Sequence, residues 1–278
     1  MKTKIASHQA PALIGLKLKS KRLPLWLAKF LRSGLNRLLG YSGFNELWYR
    51  LPEHEDDAFS KTLLDGLDIN LDVSGEPLSS YPLTGPHMFV ANHPHGLVDG
   101  FALDHVTTSQ RPETQIMSTY VLGEIPQLRQ TLILVDPLKA KKRHAMNVRG
   151  WRQSYRLLAG GGALVVFPAG AVSRFSWARR QVADPKWNPH IAAIARRTGA
   201  TVVPIFIHGR GGFWFQIAGV ISGRLQTMTL FTELLKMKGR TLRITVGKPL
   251  VPEKWSHILG DERLVNHFRD QVEVLGQQ

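Results

Sequence analysis

The sequence contains no cysteine. That absence removes disulfide scaffolds, thiolate zinc sites and cysteine nucleophiles together. It fits a chain kept in a reducing compartment. No stretch is apolar over the ~18 or more residues that a spanning helix needs. The richest run, residues 213–222, is closed off by Arg210 and Arg224. A signal-peptide core is missing as well, because lysines and Arg22 interrupt the first residues. The sequence holds no G-x-S-x-G nucleophile elbow, no G-x-x-x-x-G-K-[ST] phosphate loop and no G-x-G-x-x-G fingerprint. A protein that is not exported and does not span the bilayer is the expectation.

Acidic residues are missing from the first 40 positions, where nine basic ones stand: Lys2, Lys4, Lys17, Lys19, Lys21, Arg22, Lys29, Arg32 and Arg37. These carry +9 of a net +15. Residues 53–76 reverse the sign, with eight acids against Lys61. A surplus this large calls for an anionic partner. Within the basic segment, residues 24–39 read PLWLAKFLRSGLNRLL. Leu27, Leu31, Leu35 and Leu38 follow helical spacing, with Phe30 and Leu39 beside them. Lys29, Arg32, Ser33, Asn36 and Arg37 fall off that stripe. Pro24 suits the first turn and Gly40 the stop. A basic amphipathic helix with Trp26 near one end can lie in a membrane interface; the plainer alternative is a helix packed on the core. Charge held beside Trp26 and leucines suits an anionic membrane surface better than a nucleic-acid groove, so no nucleic-acid partner is expected.

Hydrophobic residues make up 43% of the chain, enough for a core. Short apolar runs suggest strands at 88–91, 131–135, 163–167, 201–207 and 241–246. Pro204 places the fourth of these at a sheet edge or a bulge. Helical patterns lie between them. In 146–158, Val148, Trp151, Tyr155 and Leu158 form one face; 188–198 opens with Asn188 and Pro189; another pattern covers 261–275. Alternating strands and helices predict an α/β layered domain with a mostly parallel or mixed central sheet flanked by helices. The expected division is a basic helical region over 1–50 and the α/β domain over 51–278.

Residues 89–100 read FVANHPHGLVDG. An apolar run stops at Asn92, and His93, His95 and Asp99 follow within seven residues. An imidazole titrates near neutral pH and can take a proton from a hydroxyl, best when a carboxylate holds its other nitrogen. His95 and Asp99 are four apart and meet if the stretch is helical; His93 and Asp99 meet only if residues 93–95 are loop, which Pro94 favours. A strand-end turn with a capping aspartate would use the same residues. So would a metal-dependent hydrolase with His93, His95 and Asp99 as ligands and His208 at another strand end. A second stretch, VVFPAGAVSRFS (165–176), ends a strand in Phe167-Pro168 and continues through Gly170 to Ser173 and Arg174. Its small residues let backbone approach a ligand, and Arg174 can pair with a phosphate or carboxylate. A third, TVVPIFIHGR, closes on His208, Gly209 and Arg210, and a basic loop, DPLKAKKR, covers 136–143.

Taken in this order, the stretches resemble the glycerolipid acyltransferase superfamily, the 1-acyl-glycerol-3-phosphate acyltransferases and their relatives. Within it the likeness is to the bacterial branch labelled hemolysin or lysophospholipid acyltransferase. The matching residues are Asn92, His93, Pro94, Asp99 and Gly100; Phe167, Pro168, Ala169, Gly170, Ser173 and Arg174; and Val203, Pro204, His208, Gly209 and Arg210. The likeness covers roughly residues 70–250. It implies transfer of a fatty acyl group from acyl-CoA or acyl carrier protein to a lyso-lipid hydroxyl, with no resident cofactor or metal. It implies His93 as general base and Asp99 as its orienter. Asn92, Phe167, Pro168, Gly170, Ser173, Arg174 and Arg210 would contact substrate. Two departures stand out. The usual signature has four residues between His and Asp, whereas five separate His93 from Asp99 and three separate His95 from it. Ala169 stands where phosphate-acceptor enzymes carry Glu, and the arginine follows the serine. The HPHG tetrapeptide also occurs in diacylglycerol acyltransferases, which keeps His95 open as the base.

The expectation is a peripheral enzyme on the cytoplasmic face of the inner membrane; a catalytically inactive lipid-binding relative is the non-enzymatic alternative. Removal of residues 1–40 is expected to weaken vesicle partition more than it weakens folding. Partition of the intact chain should fall as salt rises, because much of the attraction is electrostatic. Co-sedimentation with anionic vesicles checks both, and partition indifferent to truncation and salt would contradict an N-terminal anchor.

Overall fold

The computed structural model of the 278-residue chain describes residues 13–15, 24–51, 59–80, 84–136 and 143–277. Lys2, Lys4, Lys17, Lys19, Lys21 and Arg22 lie outside the described residues, as do residues 137–142 of the basic loop.

Three helices come first: α1 (Leu25–Leu38), α2 (Tyr41–Arg50) and α3 (Phe59–Gly66). The expected amphipathic helix is α1, but its apolar face is not covered. Trp26, Phe30, Leu31, Leu35 and Leu38 are exposed, Leu27 is half-buried, and Leu39, just past its end, is buried. Gly40 turns the chain so that Tyr41 and Phe44 of α2 pack on Phe231. β1 (Asn70–Gly75) and β2 (His87–Ala91) follow, then α4 (Leu97–Thr108), β3 (Gln115–Thr119), β4 (Leu132–Val135), α5 (His144–Ala159) and β5 (Ala163–Val166). A two-stranded hairpin, β6 (Arg174–Ser176) and β7 (Gln181–Ala183), leads to α6 (His190–Thr198) and β8 (Thr201–Ile207). The chain ends with α7 (Phe213–Ile221), α8 (Gly223–Met228), α9 (Leu230–Lys236), β9 (Thr241–Val246), α10 (Pro252–Trp255) and α11 (Asp261–Leu275).

Seven strands form one sheet in the order β1-β9-β8-β2-β5-β3-β4. All neighbours are parallel except β8 and β9, so the sheet is mostly parallel with two reversed strands at one side. β2 lies near the centre and is buried over all five residues. Its side chains alternate between the two faces, as a strand requires. Phe89 and Ala91 join one apolar cluster with α3, α4 and α9; Met88 and Val90 join the other with α6 and α11. A strand covered on both faces reads as a continuous apolar run, which is why it is visible in sequence.

Of the two placements that Pro204 allows, an edge or a bulge, β8 takes the bulge. It is an interior strand between β9 and β2. Its pairing with β9 runs from Ile207 to Ile205, breaks, and resumes as a single bridge between Val202 and Leu250. Three residues, 247–249, therefore oppose two, 203–204. The amide that proline lacks falls at this bulge, where Gly247 N still donates to Pro204 O at 2.8 Å.

The end of the sheet where the parallel strands begin is held by Arg111. Its buried guanidinium donates to Gly85 O, to Gly161 O and, at 2.7 Å, to His87 Nδ1. Gly85 O also lies 2.9 Å from Nδ1, so carbonyl and guanidinium compete for that nitrogen, and the guanidinium, which can only donate, favours the neutral ring. Burial is the main cause that lowers its pKa, and the nearby Arg111 charge adds to it. Burial likewise lowers His105 and His208. In the unfolded chain these imidazoles titrate near 6.5. Below that pH the unfolded state binds more protons than the folded one, so stability falls as pH falls. Asp104, raised by burial, acts in the opposite sense at lower pH. The melting temperature is expected to drop between pH 7 and pH 5, and to drop less in His87→Gln, whose amide oxygen still accepts from Arg111. Equal slopes in calorimetry would remove His87 from the account.

Candidate active site

β2 ends at Ala91, at the end of the sheet where the parallel strands finish. Asn92 continues the ladder with its side chain. Nδ2 donates to Ile207 O at 2.9 Å and Oδ1 accepts from Ile207 N at 2.7 Å, tying the loop to β8. His93 follows with its ring parallel to Phe167, centroids 4.0 Å apart. Gly96, at φ 87°, turns the chain into α4, and a side chain there would meet Leu230.

Asp99, in the first turn of α4, is fully buried. Its Oδ2 accepts from His93 Nδ1 at 2.9 Å, His95 N at 2.9 Å and Gly96 N at 3.0 Å. The bond to Gly96 is the reach-back half of a capping box, and the positive end of the helix dipole favours a carboxylate at this place. An oxygen that receives two amide protons must also receive one from the imidazole. In the neutral ring this places the proton of His93 on Nδ1 and the lone pair on Nε2. Among the described residues Nε2 has no protein partner, and His93 lines a cavity beside it.

That cavity lies over the ends of β3 and β4 and under α8. Leu97, Met117, Leu122, Phe167 and Leu230 supply apolar walls; Gln226 and Thr227 supply polar ones. A second cavity shares Met117, Val135, Phe167 and Gly170 with it and extends between α5 and α6 past His144, Lys186 and His190. Phe167, with His93 stacked on it, is the wall between the two.

The loop after β5 is laced to the histidine loop. Ser173 N donates to His93 O at 2.7 Å. Asp184, just past β7, then ties both together. It accepts from His93 N at 3.2 Å, Ser173 Oγ at 2.5 Å and Trp187 Nε1 at 2.9 Å. Burial of the carboxylate pushes its pKa up, against the lowering effect of these bonds. Arg269 of α11 caps the Asp184 and Pro185 carbonyls.

Several expected contacts lie elsewhere. His95 is buried, and its Nε2 donates to His208 O at 2.9 Å, so its ring faces β8 and does not line the His93 cavity. Gly209, at φ 100°, gives that ring room, since a side chain would run into it. Both polar groups of Asn92 are spent on Ile207, and the Ser173 hydroxyl is spent on Asp184. Arg174 is half-buried on β6 and Arg210 is exposed after β8; neither lines the cavity. Phe167 and Gly170 do line it, and Pro168 lines only the second cavity. Asp184 escapes sequence reading because it stands 91 positions from His93.

The metal-ligand alternative needs convergent donors. His93 Nδ1 is turned to Asp99, His95 Nε2 to a carbonyl and His208 Nε2 to Thr245 Oγ1 at 2.8 Å. Among the described residues no group of three His, Asp or Glu converges as a ligand set.

The chain belongs to the family described as Acyltransferase, whose model matches residues 32–276. A protein named lyso-glycine lipid O-acyltransferase from Phocaeicola vulgatus is 24% identical over 267 residues, covering 88% of this chain and 91% of the relative. A protein of the same name from Bacteroides thetaiotaomicron is 24% identical over 269 residues, covering 88% and 93%. The fold is similar to the crystal structure of the 1-acyl-sn-glycerophosphate (LPA) acyltransferase from Thermotoga maritima. The TM-score is 0.52 at 17% identity, over 91% of this chain and 88% of that one. The protein is thus an acyltransferase.

Asp184→Ala strips His93 N and Ser173 Oγ of their acceptor. A loss of about 1–3 kcal/mol in urea unfolding is expected. Asp184→Asn keeps an oxygen acceptor and should lose less. Unchanged stability in the alanine variant would show that the two loops hold together without it.

Proposed function

We propose that the protein moves a fatty acyl group from acyl-CoA or acyl carrier protein to the hydroxyl of a lyso-lipid, with His93 as general base and Asp99 as its orienter. The observation that carries the reading is the 2.9 Å bond from His93 Nδ1 to Asp99 Oδ2, which leaves Nε2 free beside an apolar-walled cavity. In the reaction Nε2 takes the acceptor's hydroxyl proton as its oxygen attacks the thioester carbonyl. The tetrahedral intermediate collapses, the carbon–sulfur bond breaks, and the imidazolium returns the proton to the leaving thiolate. The products are an ester and a free thiol. Asp99, buried and adjacent, favours the imidazolium electrostatically and fixes its tautomer. The face of Phe167 also favours a cationic ring.

The two cavities that meet at Phe167 suit a two-substrate reaction. The acceptor class we favour is a lyso-lipid with an amino-acid headgroup. The relatives so named span nearly the whole chain, and Ala169 departs from the phosphate-acceptor pattern. The exposed apolar face of α1 and the acid-free basic N-terminal 40 residues support a peripheral site of action on an anionic membrane, at the cytoplasmic face of the inner membrane.

Labelled acyl-CoA and acyl carrier protein, offered with a panel of lyso-lipids, test this. His93→Ala is expected to lower kcat by about 10²–10⁴-fold, the usual contribution of a general base. Asp99→Asn should approach the same loss with little change in KM. His95→Ala should act through stability more than through kcat, and chelator should leave turnover unchanged. Equal losses in both histidine variants together with chelator sensitivity would favour the metal-dependent reading. Vesicle binding without transfer to any acceptor would leave a lipid-binding relative.

A further inference from the structure

α7 is amphipathic in the wrong sense for a helix on a water-facing surface. Phe213, Trp214, Ile217, Val220 and Ile221 recur at helical spacing and share one face. That face points outward. Phe213 and Trp214 are each 72% exposed and Ile221 is 68% exposed. The inward face is Phe215, Gly219 and the polar Gln216. Residues 211–223 hold no charged side chain, while Arg210 and Arg224, both exposed, stand at the two ends. From 210 to 229 there is no acidic residue.

The position of this face relative to the site is specific. α7 leads into α8, whose Gly223, Gln226 and Thr227 line the cavity that His93 faces. An adjoining cavity shares Leu97, Leu122, Thr227 and Leu230 with it and reaches Tyr41 of α2 and Arg224 of α8. The hollow thus runs from His93 to the space between α2 and α8. Each of those helices is preceded by one whose outward face is apolar, α1 and α7. Gln216 and Gln226 also reach Ser173 O, at 3.5 and 3.3 Å, so α7 and α8 are tied to the loop that holds His93.

We propose that α7 is a second membrane-docking element, lying in the headgroup region of an anionic bilayer with Phe213, Trp214 and Ile221 inserted and with Arg210 and Arg224 on lipid phosphates, so that the mouth of the His93 cavity opens at the lipid surface. The charge selects the partner. A second copy of this face would bring guanidinium groups together with no acid to meet them, whereas anionic lipid is complementary. Phe and Trp beside basic residues are the composition of interfacial segments. The nine-residue helix is too short to span, and among the described residues no helix is long and apolar enough to cross a membrane. The proposal rests on surface chemistry and does not depend on the assignment of acyl transfer.

The test uses the full chain and vesicles of phosphatidylcholine with and without phosphatidylglycerol. The triple variant Phe213→Ser/Trp214→Ser/Ile221→Ser should bind mixed vesicles at least about tenfold more weakly, since three apolar side chains no longer leave water. Its melting temperature should stay within a degree or so of wild type, because the side chains are already exposed. A control, Tyr155→Ser/Leu259→Ser, removes exposed apolar groups on α5 and just before α11 and should bind like wild type. Brominated lipid should quench tryptophan emission more in wild type than in Trp214→Phe. Undiminished binding by the triple variant, or an equal loss in the control, would overturn the proposal. So would a wild-type dimer in the absence of vesicles that the triple variant abolishes, which would give the face to a second copy.

Discussion

One carboxylate oxygen organises this protein's site. Asp99 Oδ2 accepts a proton from an imidazole and from two backbone amides, and those three donors come from consecutive parts of one short loop. The amide bonds set the path of the loop from strand into helix. The imidazole bond sets the tautomer of His93. Because the same oxygen does both, the loop cannot relax without releasing the histidine, and the histidine cannot turn without leaving a buried carboxylate short of a donor. A buried charge that loses its hydrogen bonds is costly, so the arrangement is held as a unit. One arrangement of the aspartate therefore accommodates both the turn-capping and the base-orienting reading.

The rest of the fold delivers that loop to a fixed place. β2 is central and buried on both faces, so its end is flanked by β5 and β8 and backed by both cores. From there the loop is fastened sideways three times: by Asn92 to β8, by Ser173 N to the His93 carbonyl, and by Asp184 to the His93 amide. Each fastening comes from a different part of the chain. Residues whose types suggested substrate contact, Asn92 and Ser173, spend their polar groups on this framework instead. What remains open to a ligand is narrow: Nε2 of one histidine, an aromatic wall and an apolar cavity roofed by α8.

Legibility in the sequence followed burial and distance along the chain. β2, β5 and β8 were visible because strands covered on both faces become apolar runs, β4 because Leu132–Val135 is itself an apolar run, and β9 because Leu242, Ile244 and Val246 alternate with Thr241, Arg243 and Thr245. β1 was not: Leu71 and Val73 alternate with Asn70, Asp72 and Ser74, but it is an edge strand whose residues are mostly exposed, and two apolar residues set in an acid-rich stretch are a weak signal. β3 is short and polar at both ends, and β6 and β7 have three residues each. His93 and Asp99 were visible as a pair, but their spacing alone could not exclude His95. That choice depends on where each ring points, and His95 is drawn to a carbonyl 113 positions away. Asp184 had no local signal at all, because a lone aspartate after a three-residue strand looks like any loop residue.

The proposed lipid acceptor sets a requirement that His93 and Asp99 cannot meet alone. The reacting hydroxyl is polar and must reach Nε2, while the chain beside it belongs in a bilayer. A fold serves both only if its reactive end lies close to its apolar surface. Here the hollow that starts at His93 ends between α2 and α8, and the outward faces of α1 and α7 carry the large apolar side chains that a water-exposed protein would bury. Gln216 makes the inversion plain: α7 turns an amide toward the core and tryptophan toward the outside. Such a helix gains nothing from water on its outer face and a good deal from lipid. Gln216 and Gln226 both reach Ser173 O, which joins α7 and α8 to the loop carrying His93 and sets the exposed apolar side chains of α7 beside the hollow that an amphiphile would enter.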